Sequence, residues 1–251
     1  MIFLLGGTGE ARKIAEALDE AGYEVLVSVT TDYGASLLDG QGVEVIKRKF
    51  TEAKLRKVLL AKDPEAVIDA THPFADTISR LAVRVTRETE NKYIRFERPQ
   101  VSPPDELEII RAASVLEAGR KASRRERIFS TIGSSNLAEL AGEIDDHNRR
   151  MVVRILPLEK SLKITSDLNL PAHSTIAMKG PFSVELNRSL FKNFGADIVV
   201  AKAGGKGSGL YNRMAAADEL DIPLLLIERP EVEYPQSADD VDRLLEMLNS
   251  F

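Results

Sequence analysis

Short apolar runs alternate with longer amphipathic segments along most of this chain. The first run, MIFLL, is followed by a glycine-rich turn, an amphipathic stretch from about Glu10 to Ala21, and a second run, EVLVSVT. Continuous apolar runs are typical of strands buried on both faces, and the longer segments have the period of helices. The pattern predicts β-α-β units, and therefore an α/β fold in which helices cover both faces of parallel sheets.

The alternation is interrupted once, at RPQVSPPDE, which spans residues 98–106 and contains three prolines. Prolines concentrated between periodic segments indicate a linker. Further helices are predicted near residues 52–61, 76–89, 114–125, 183–193 and 210–220, after residue 136, and in the C-terminal ADDVDRLLEMLNSF. We therefore expect two Rossmann-like domains with parallel sheets, residues 1–99 and 100–251, and a ligand cleft between them.

Composition narrows the possible functions. The chain has a net charge of -5 and no cysteine. Mild acidity argues against nucleic acid as a partner, and the absence of cysteine excludes disulfides, thiolate metal sites and cysteine nucleophiles. The three histidines are not clustered, so no metal site is expected. The opening MIFLLGGTGEAR is too short an apolar run for a signal peptide or membrane span, and we expect a cytoplasmic protein that does not bind membranes.

A glycine-rich turn follows the first predicted strand. In doubly wound sheets this turn brings backbone N–H groups and a helix N-terminus to a phosphate. Gly6, Gly7, Thr8, Gly9 and Glu10 occupy that position, which predicts a dinucleotide site. The G-x-G-x-x-G pattern is incomplete, because its third glycine is replaced by arginine, so a tight turn without a ligand is the alternative.

The end of the second predicted strand bears on the choice of cofactor. An NAD site usually has an acid there, which binds the ribose hydroxyls. Here Ser28 and Thr30 come first and a carboxylate, Asp32, follows slightly later. The order leaves room for a 2′-phosphate and weakly favours NADPH over NADH.

The motif DATHPFA ends the fourth predicted strand and contains Thr71, His72 and Pro73. The proline removes a backbone donor and favours extended geometry at the histidine. Because His72 lies on the same sheet edge as the glycine turn, it can bind a ligand or transfer a proton. A loop histidine satisfied by backbone groups is an equally good interpretation of the pattern.

A second glycine-rich loop lies within AKAGGKGSGLYNRMAAADEL, residues 201–220. Bare N–H groups together with Lys202 and Lys206 favour anion binding over a solvated surface turn. None of the tyrosines is followed four residues later by lysine, so the Tyr-x-x-x-Lys pair of ketone-reducing short-chain dehydrogenases is absent.

Taken in order, GGTGEAR, DATHPFA, RFERP, RILP, MKGPFSVELN, VVAK and IPLLLIERP resemble the precorrin-6A reductase family of cobalamin biosynthesis, over residues 2 to about 230. The resemblance implies a two-domain enzyme that transfers hydride from NADPH or NADH to an anionic tetrapyrrole, precorrin-6A or its cobalt form. It also implies that His72 and Pro73 lie where cofactor and macrocycle meet, and it suggests transient contact with neighbouring cobalamin-pathway enzymes.

The resemblance also indicates which residues bind the substrate. Basic side chains hold carboxylates as charge-assisted pairs. Where the family usually has Lys-Asp-Ser-Gly, this chain has Lys-Ala-Gly-Gly, so an aspartate or serine role there is lost or moved to Ser208. The candidates at motif positions are Arg12, Arg98, Lys179, Lys202, Lys206, Ser208, Arg213 and Arg229. Two alternatives stay open: a reductase of another conjugated substrate, and an NADP(H)-binding redox sensor without turnover.

Overall fold

The computed structural model describes residues 1–250, and the chain divides into two compact units. Unit 1 contains Met1–Pro99 and the segment that begins at Glu231, and unit 2 contains Gln100–Pro230. Each unit is built on one six-stranded sheet whose strand pairs are all parallel. The predicted α/β class with two parallel sheets is confirmed. The predicted ligand cleft between the domains stays a prediction.

Strands and helices are numbered in chain order. The strands are β1 Ile2–Leu5, β2 Val25–Val29, β3 Glu44–Lys47, β4 Ala66–Asp69, β5 Lys92–Phe96, β6 Ile109–Ala112, β7 Ile128–Ser130, β8 Met151–Ile155, β9 Thr175–Ala177, β10 Ile198–Lys202, β11 Leu224–Ile227 and β12 Ser237–Ala238. The helices are α1 Gly9–Glu20, α2 Asp32–Ser36, α3 Glu52–Lys62, α4 Asp76–Glu88, α5 Val115–Ala122, α6 Leu137–Ala141, α7 His147–Arg150, α8 Glu159–Asp167, α9 Val184–Asn193, α10 Leu210–Asp218 and α11 Val241–Asn249. The sequence did not predict α2, α7, α8 or β12.

Both sheets have the doubly wound order. In unit 1 the order is β12-β5-β4-β1-β2-β3, so the direction of winding changes between β1 and β4. In unit 2 the order is β6-β11-β10-β7-β8-β9, and the corresponding change lies between β7 and β10. Loops at the carboxyl ends of the strands on either side of such a switch point diverge and leave a crevice for a ligand.

The structure also divides the chain after Pro99, but it groups the segment that begins at Glu231 with unit 1, whereas the prediction placed residues 231–251 in the second domain. β12 pairs in parallel with β5, with Ser237 opposite Arg95 and Ala238 opposite Phe96. Buried Leu244 and Leu248 of α11 belong to the same core cluster as Ile14 and Leu18 of α1. The C-terminal segment therefore supplies the sixth strand and a covering helix of unit 1.

Apolar side chains cover both faces of each sheet. In unit 1, the face under α1 and α11 contains Leu4 and Val27, and the face under α3 and α4 contains Phe3 and Val67. Apart from residue 251, which the structure does not describe, no helix is long and apolar enough to cross a membrane. The two sheets thus provide the frames of the units, and many of the candidate functional residues lie in the loops at the carboxyl ends of their strands.

Candidate active site

The glycine turn of unit 1 lies at the switch point of its sheet. Gly6 N–H donates to the carbonyl of Ser28, 2.8 Å away, which joins the turn to β2. Gly7 has φ of +105°, a conformation that favours glycine. No atom lies within 4 Å of the position that a Cβ would occupy at Gly7 or Gly9, so the backbone of the turn has an open surface. This geometry fits the close approach of a phosphate.

Thr8 connects the glycine turn to the histidine turn. Its hydroxyl caps α1 by accepting a hydrogen bond from Ala11 N–H at 3.1 Å. The same hydroxyl donates to the carbonyl of Ala70 at 2.9 Å. Ala70 directly follows β4, so one side chain joins the two loops that flank the switch point.

His72 lies at the exposed tip of the turn after β4. Its Nδ1 accepts a hydrogen bond from Phe74 N–H at 3.2 Å, and its carbonyl accepts one from Ala75 N–H at 2.8 Å. When the ring is neutral, an accepting Nδ1 places the proton on Nε2. Pro73 is buried, and the ring of Phe74 lies 5.8 Å from the His72 ring between centroids. His72 is therefore oriented by its own turn and can donate through Nε2.

A buried ion pair is hydrogen-bonded to this turn. Arg95 and Asp69 are both 0% exposed, and their side chains are 2.8 Å apart. Asp69 also accepts hydrogen bonds from the Tyr93 hydroxyl at 2.8 Å, the Thr71 hydroxyl at 2.6 Å and Thr71 N–H at 3.0 Å. Arg95 donates in turn to the carbonyl of Thr71 at 3.1 Å. The residue immediately before His72 is thus held through its N–H, its carbonyl and its hydroxyl.

Aromatic rings complete this network. The Tyr93 ring is stacked on that of Tyr234, with centroids 6.3 Å apart, and the Arg95 guanidinium lies 5.4 Å from the Tyr234 centroid. Burial, followed by the charge and hydrogen bond of Asp69, raises the pKa of Tyr93. None of the four side chains of this network, Asp69, Tyr93, Arg95 and Tyr234, was predicted from the sequence. The signal that could have identified two of them is the presence of an aspartate in the apolar strand β4 and of an arginine in the apolar strand β5.

Two other predicted residues of unit 1 lie around the glycine turn. Glu10, in the first turn of α1, is ion-paired with Arg98 at 2.8 Å. The pair offsets a carboxylate that would otherwise repel an anion at this turn. Arg12 lies on the exposed surface of α1.

Two of the predicted cofactor residues, Ser28 and Thr30, lie at the end of β2 and differ in solvent exposure. Ser28 is only 5% exposed, whereas Thr30 is exposed just beyond the strand. A ligand at this edge can therefore reach the Thr30 side chain more readily than that of Ser28.

In unit 2 the second glycine loop begins at the end of β10. Lys202 Nζ donates to Asn136 Oδ1 at 2.5 Å, and burial lowers the pKa of Lys202. Ser208 turns the loop back on itself by donating to the carbonyl of Gly205 at 2.6 Å. Lys206 is exposed and lines a pocket of about 480 Å³ together with Tyr211.

Arg213 extends from α10 to the switch point of the second sheet. It donates to the Thr131 hydroxyl beyond β7 at 3.3 Å and to the carbonyl of Ser208 beyond β10 at 3.1 Å. Its Nε is buried without a hydrogen-bond partner in the described part of the chain. Burial lowers the pKa of Arg213, which indicates that its charge is poorly compensated.

Arg154, in β8, is a second desolvated cation, and it was not among the residues predicted from the sequence. It is 6% exposed, donates to Asn187 Oδ1 at 2.8 Å and lies 4.0 Å from the centroid of the Phe182 ring. Burial and then the charge of Arg213 lower its pKa. Within residues 1–250 neither arginine forms an ion pair with a carboxylate. One buried and one partly buried cation without acids are well suited to an anionic ligand.

The two remaining predicted substrate residues of unit 2 lie in other loops. Lys179 is exposed in the loop between β9 and α9, and Arg229 donates through Nε to the carbonyl of Ala203 at 2.8 Å. Across residues 1–250 no group of three or more metal-binding side chains occurs.

Two doubly wound sheets, one with a glycine turn at its switch point, place the chain in the class of Rossmann-like α/β proteins. A family model described as precorrin-6x reductase CbiJ/CobK matches residues 1–249. This chain belongs to that family and is an oxidoreductase of cobalamin biosynthesis.

Individual relatives agree with this assignment. The cobalt-precorrin-6A reductase of Methanothermobacter thermautotrophicus is 34% identical over 98% of this chain and 84% of its own length. That of Methanocaldococcus jannaschii is 31% identical over 98% of this chain and 97% of its own length. A solved structure of CobK precorrin-6A reductase has a TM-score of 0.82 at 25% identity, covering 99% of this chain and 96% of that one. The predicted family is confirmed.

Proposed function

We propose that this chain transfers a hydride from NADPH or NADH to precorrin-6A or cobalt-precorrin-6A, giving the corresponding 6B compound. The observation that carries the proposal is the junction of two loops at the switch point of unit 1. Thr8 of the glycine turn is hydrogen-bonded to Ala70, two residues before His72. The phosphate-binding element and the candidate catalytic residue therefore belong to one connected edge.

The nicotinamide cofactor fits the residues of unit 1. The open backbone of Gly7 and Gly9, next to the capped start of α1, would hold the pyrophosphate. When bound, the reduced nicotinamide supplies the hydride. The other proposed cofactor contacts come from the same sheet edge: Gly6, Thr8, Glu10, Ser28, Thr30, Thr71 and Pro73.

The substrate carries several carboxylates, and unit 2 offers cations to bind them. Arg154 is buried, Arg213 is partly buried, and neither has an acidic partner; Lys202 is also partly desolvated, so an incoming carboxylate gains more here than at a solvated surface. Lys206 and Ser208 belong to the adjoining loop. Arg12, Arg98, Lys179 and Arg229 complete the proposed set.

His72 acts at the reacting edge of the macrocycle in this proposal. Because Nδ1 accepts from Phe74 N–H, the neutral ring carries its proton on Nε2, and the hydrogen bonds of Thr71 restrict its position. The neutral ring donates a hydrogen bond through Nε2, and the imidazolium delivers a proton from the same atom.

The test is an anaerobic incubation with each macrocycle and each cofactor in turn. Cofactor oxidation is followed by absorbance, and the product is identified by mass. Gain of two hydrogens on either macrocycle supports the proposal. If nicotinamide binds but neither macrocycle is reduced, the sensor alternative replaces it. A cytoplasmic location and transient contacts with other enzymes of the pathway remain predictions.

A further inference from the structure

The carboxyl ends of β2 and β3 bring a basic segment next to the hydroxyl-rich end of β2. The strands pair in parallel, with Val29 opposite Lys47. Arg48 N–H then donates to the carbonyl of Val29 at 2.8 Å, so the pairing continues one residue beyond β3. Thr30 and Arg48 are therefore neighbours at the edge that contains the glycine turn, although 18 residues separate them along the chain.

The acidic side chain at this edge is already paired. Asp32, just after β2, forms an ion pair with Lys47. The hydrogen bond and charge of Lys47 hold the pKa of Asp32 below its ordinary value. An unpaired carboxylate here would bind the ribose 2′-hydroxyl of NADH and repel a phosphate. The ion pair weakens both effects.

Arg48 itself is available to a ligand. Its side chain is exposed and forms no hydrogen bond or ion pair with another residue in the described chain. A guanidinium presents a planar set of donors that matches a phosphate, and it stays charged at every physiological pH. The exposed hydroxyl of Thr30 is an additional donor beside it.

We propose that Arg48, with Thr30, binds the 2′-phosphate of NADPH and makes this chain select NADPH over NADH. The inference rests on the proposed nicotinamide site in unit 1. It refines the sequence-based expectation, which weakly favoured NADPH from the residues at the end of the second strand. The arginine comes from the end of the third strand.

The experiment measures dissociation constants for NADPH and NADH by isothermal titration calorimetry, for the full chain without tetrapyrrole. The variants are Arg48→Ala, Arg48→Lys and a matched control, Arg87→Ala. Arg87 is also exposed without a described partner, but it lies in the last turn of α4, whose start follows the carboxyl end of β4. The control therefore removes the same charge from a position remote from the glycine turn.

We expect the unmodified chain and Arg87→Ala to prefer NADPH. Loss of charge-assisted hydrogen bonds in Arg48→Ala should weaken NADPH binding about ten- to a hundredfold and leave NADH binding within about twofold. Arg48→Lys should recover part of the preference, because it restores charge without the planar fork.

Three other results would overturn the inference in different ways. Equal weakening of NADPH binding in the Arg48 and Arg87 alanine variants would show a general charge effect. Unchanged preference in Arg48→Ala would place 2′-phosphate recognition elsewhere. Failure of the unmodified chain to bind either cofactor would remove the proposed nicotinamide site itself.

Discussion

The buried pair of Asp69 and Arg95 makes a quantitative prediction about the stability of unit 1. Replacing Arg95 with methionine retains most of the packed volume but leaves the Asp69 carboxylate buried with a reduced set of donors. Breaking a buried pair on one side costs about 3–5 kcal/mol. Because Tyr93 and Thr71 still donate to Asp69, we expect a value near the lower end, about 3 kcal/mol.

The assay is native-state hydrogen exchange of the amides in β4 and β5, because a chain with two units need not unfold in one step. The variants are Arg95→Met, Asp69→Asn and the double variant. Removal of both charges avoids an unpaired buried ion, so the double variant should be less destabilised than the sum of the single changes. A loss below about 1 kcal/mol in Arg95→Met, or simple additivity, would refute this account of the pair.

The same variants test whether the pair orients His72. Nitrogen chemical shifts of the three histidines distinguish the tautomers without any substrate. In the unmodified chain neutral His72 should carry its proton on Nε2, since Nδ1 accepts from Phe74 N–H. In Arg95→Met the Thr71 carbonyl loses its donor, and we expect a mixture of tautomers at His72. An unchanged His72 spectrum in a destabilised variant would limit the pair to a structural role.

Three further predictions concern the proposed reaction. His72→Ala should lower kcat about 10²- to 10⁴-fold with little change in stability. The control His173→Ala, at an exposed position in a short 3-10 helix, should leave kcat unchanged. Steady-state kinetics and thermal unfolding check both results. Arg213→Met should raise KM for the tetrapyrrole about tenfold or more. The control Arg188→Met, which removes an exposed arginine of α9, should leave KM unchanged. An equal rise of KM in both variants would argue against a specific carboxylate contact of Arg213. Burial lowers the pKa of Lys202, so tetrapyrrole affinity should begin to fall at a lower pH than that at which an ordinary lysine loses its proton. Arginine stays protonated over this range, so Lys202→Arg should abolish the alkaline loss of affinity, measured as KM against pH.

Much of the framework was predictable from local patterns. Continuous apolar runs such as that of Ile2–Leu5 identified buried parallel strands, because a strand covered on both faces needs apolar residues at every position. The glycine turn and its helix start were also visible, since a cap such as Thr8 and a positive φ at Gly7 depend on residues close in sequence. The prolines after residue 98 marked the boundary between the units for the same local reason.

The candidate site was only partly predictable. Lys202 was found from a loop composition typical of anion binding and Arg213 from the family resemblance, whereas Arg154 was not selected although it begins the RILP motif. Its burial beside Phe182 and its separation from any acid depend on how α9 and α10 cover the sheet. The ion pair of Asp69 and Arg95, which is hydrogen-bonded to Thr71 next to His72, was also not predicted, because it depends on the pairing of β4 with β5.

The sequence alone determined the α/β class, the two parallel sheets and the carboxyl-edge location of the glycine turn, because periodicity reports the burial of each residue along its own segment. Only the tertiary structure decided which distant segments become neighbours. Strand pairing placed Asp69 beside Arg95 and Thr30 beside Arg48. It also placed β12 beside β5, although all residues of unit 2 lie between these two strands in the sequence. These choices depend on packing between segments far apart in the chain, and such packing leaves no periodic trace in any one of them.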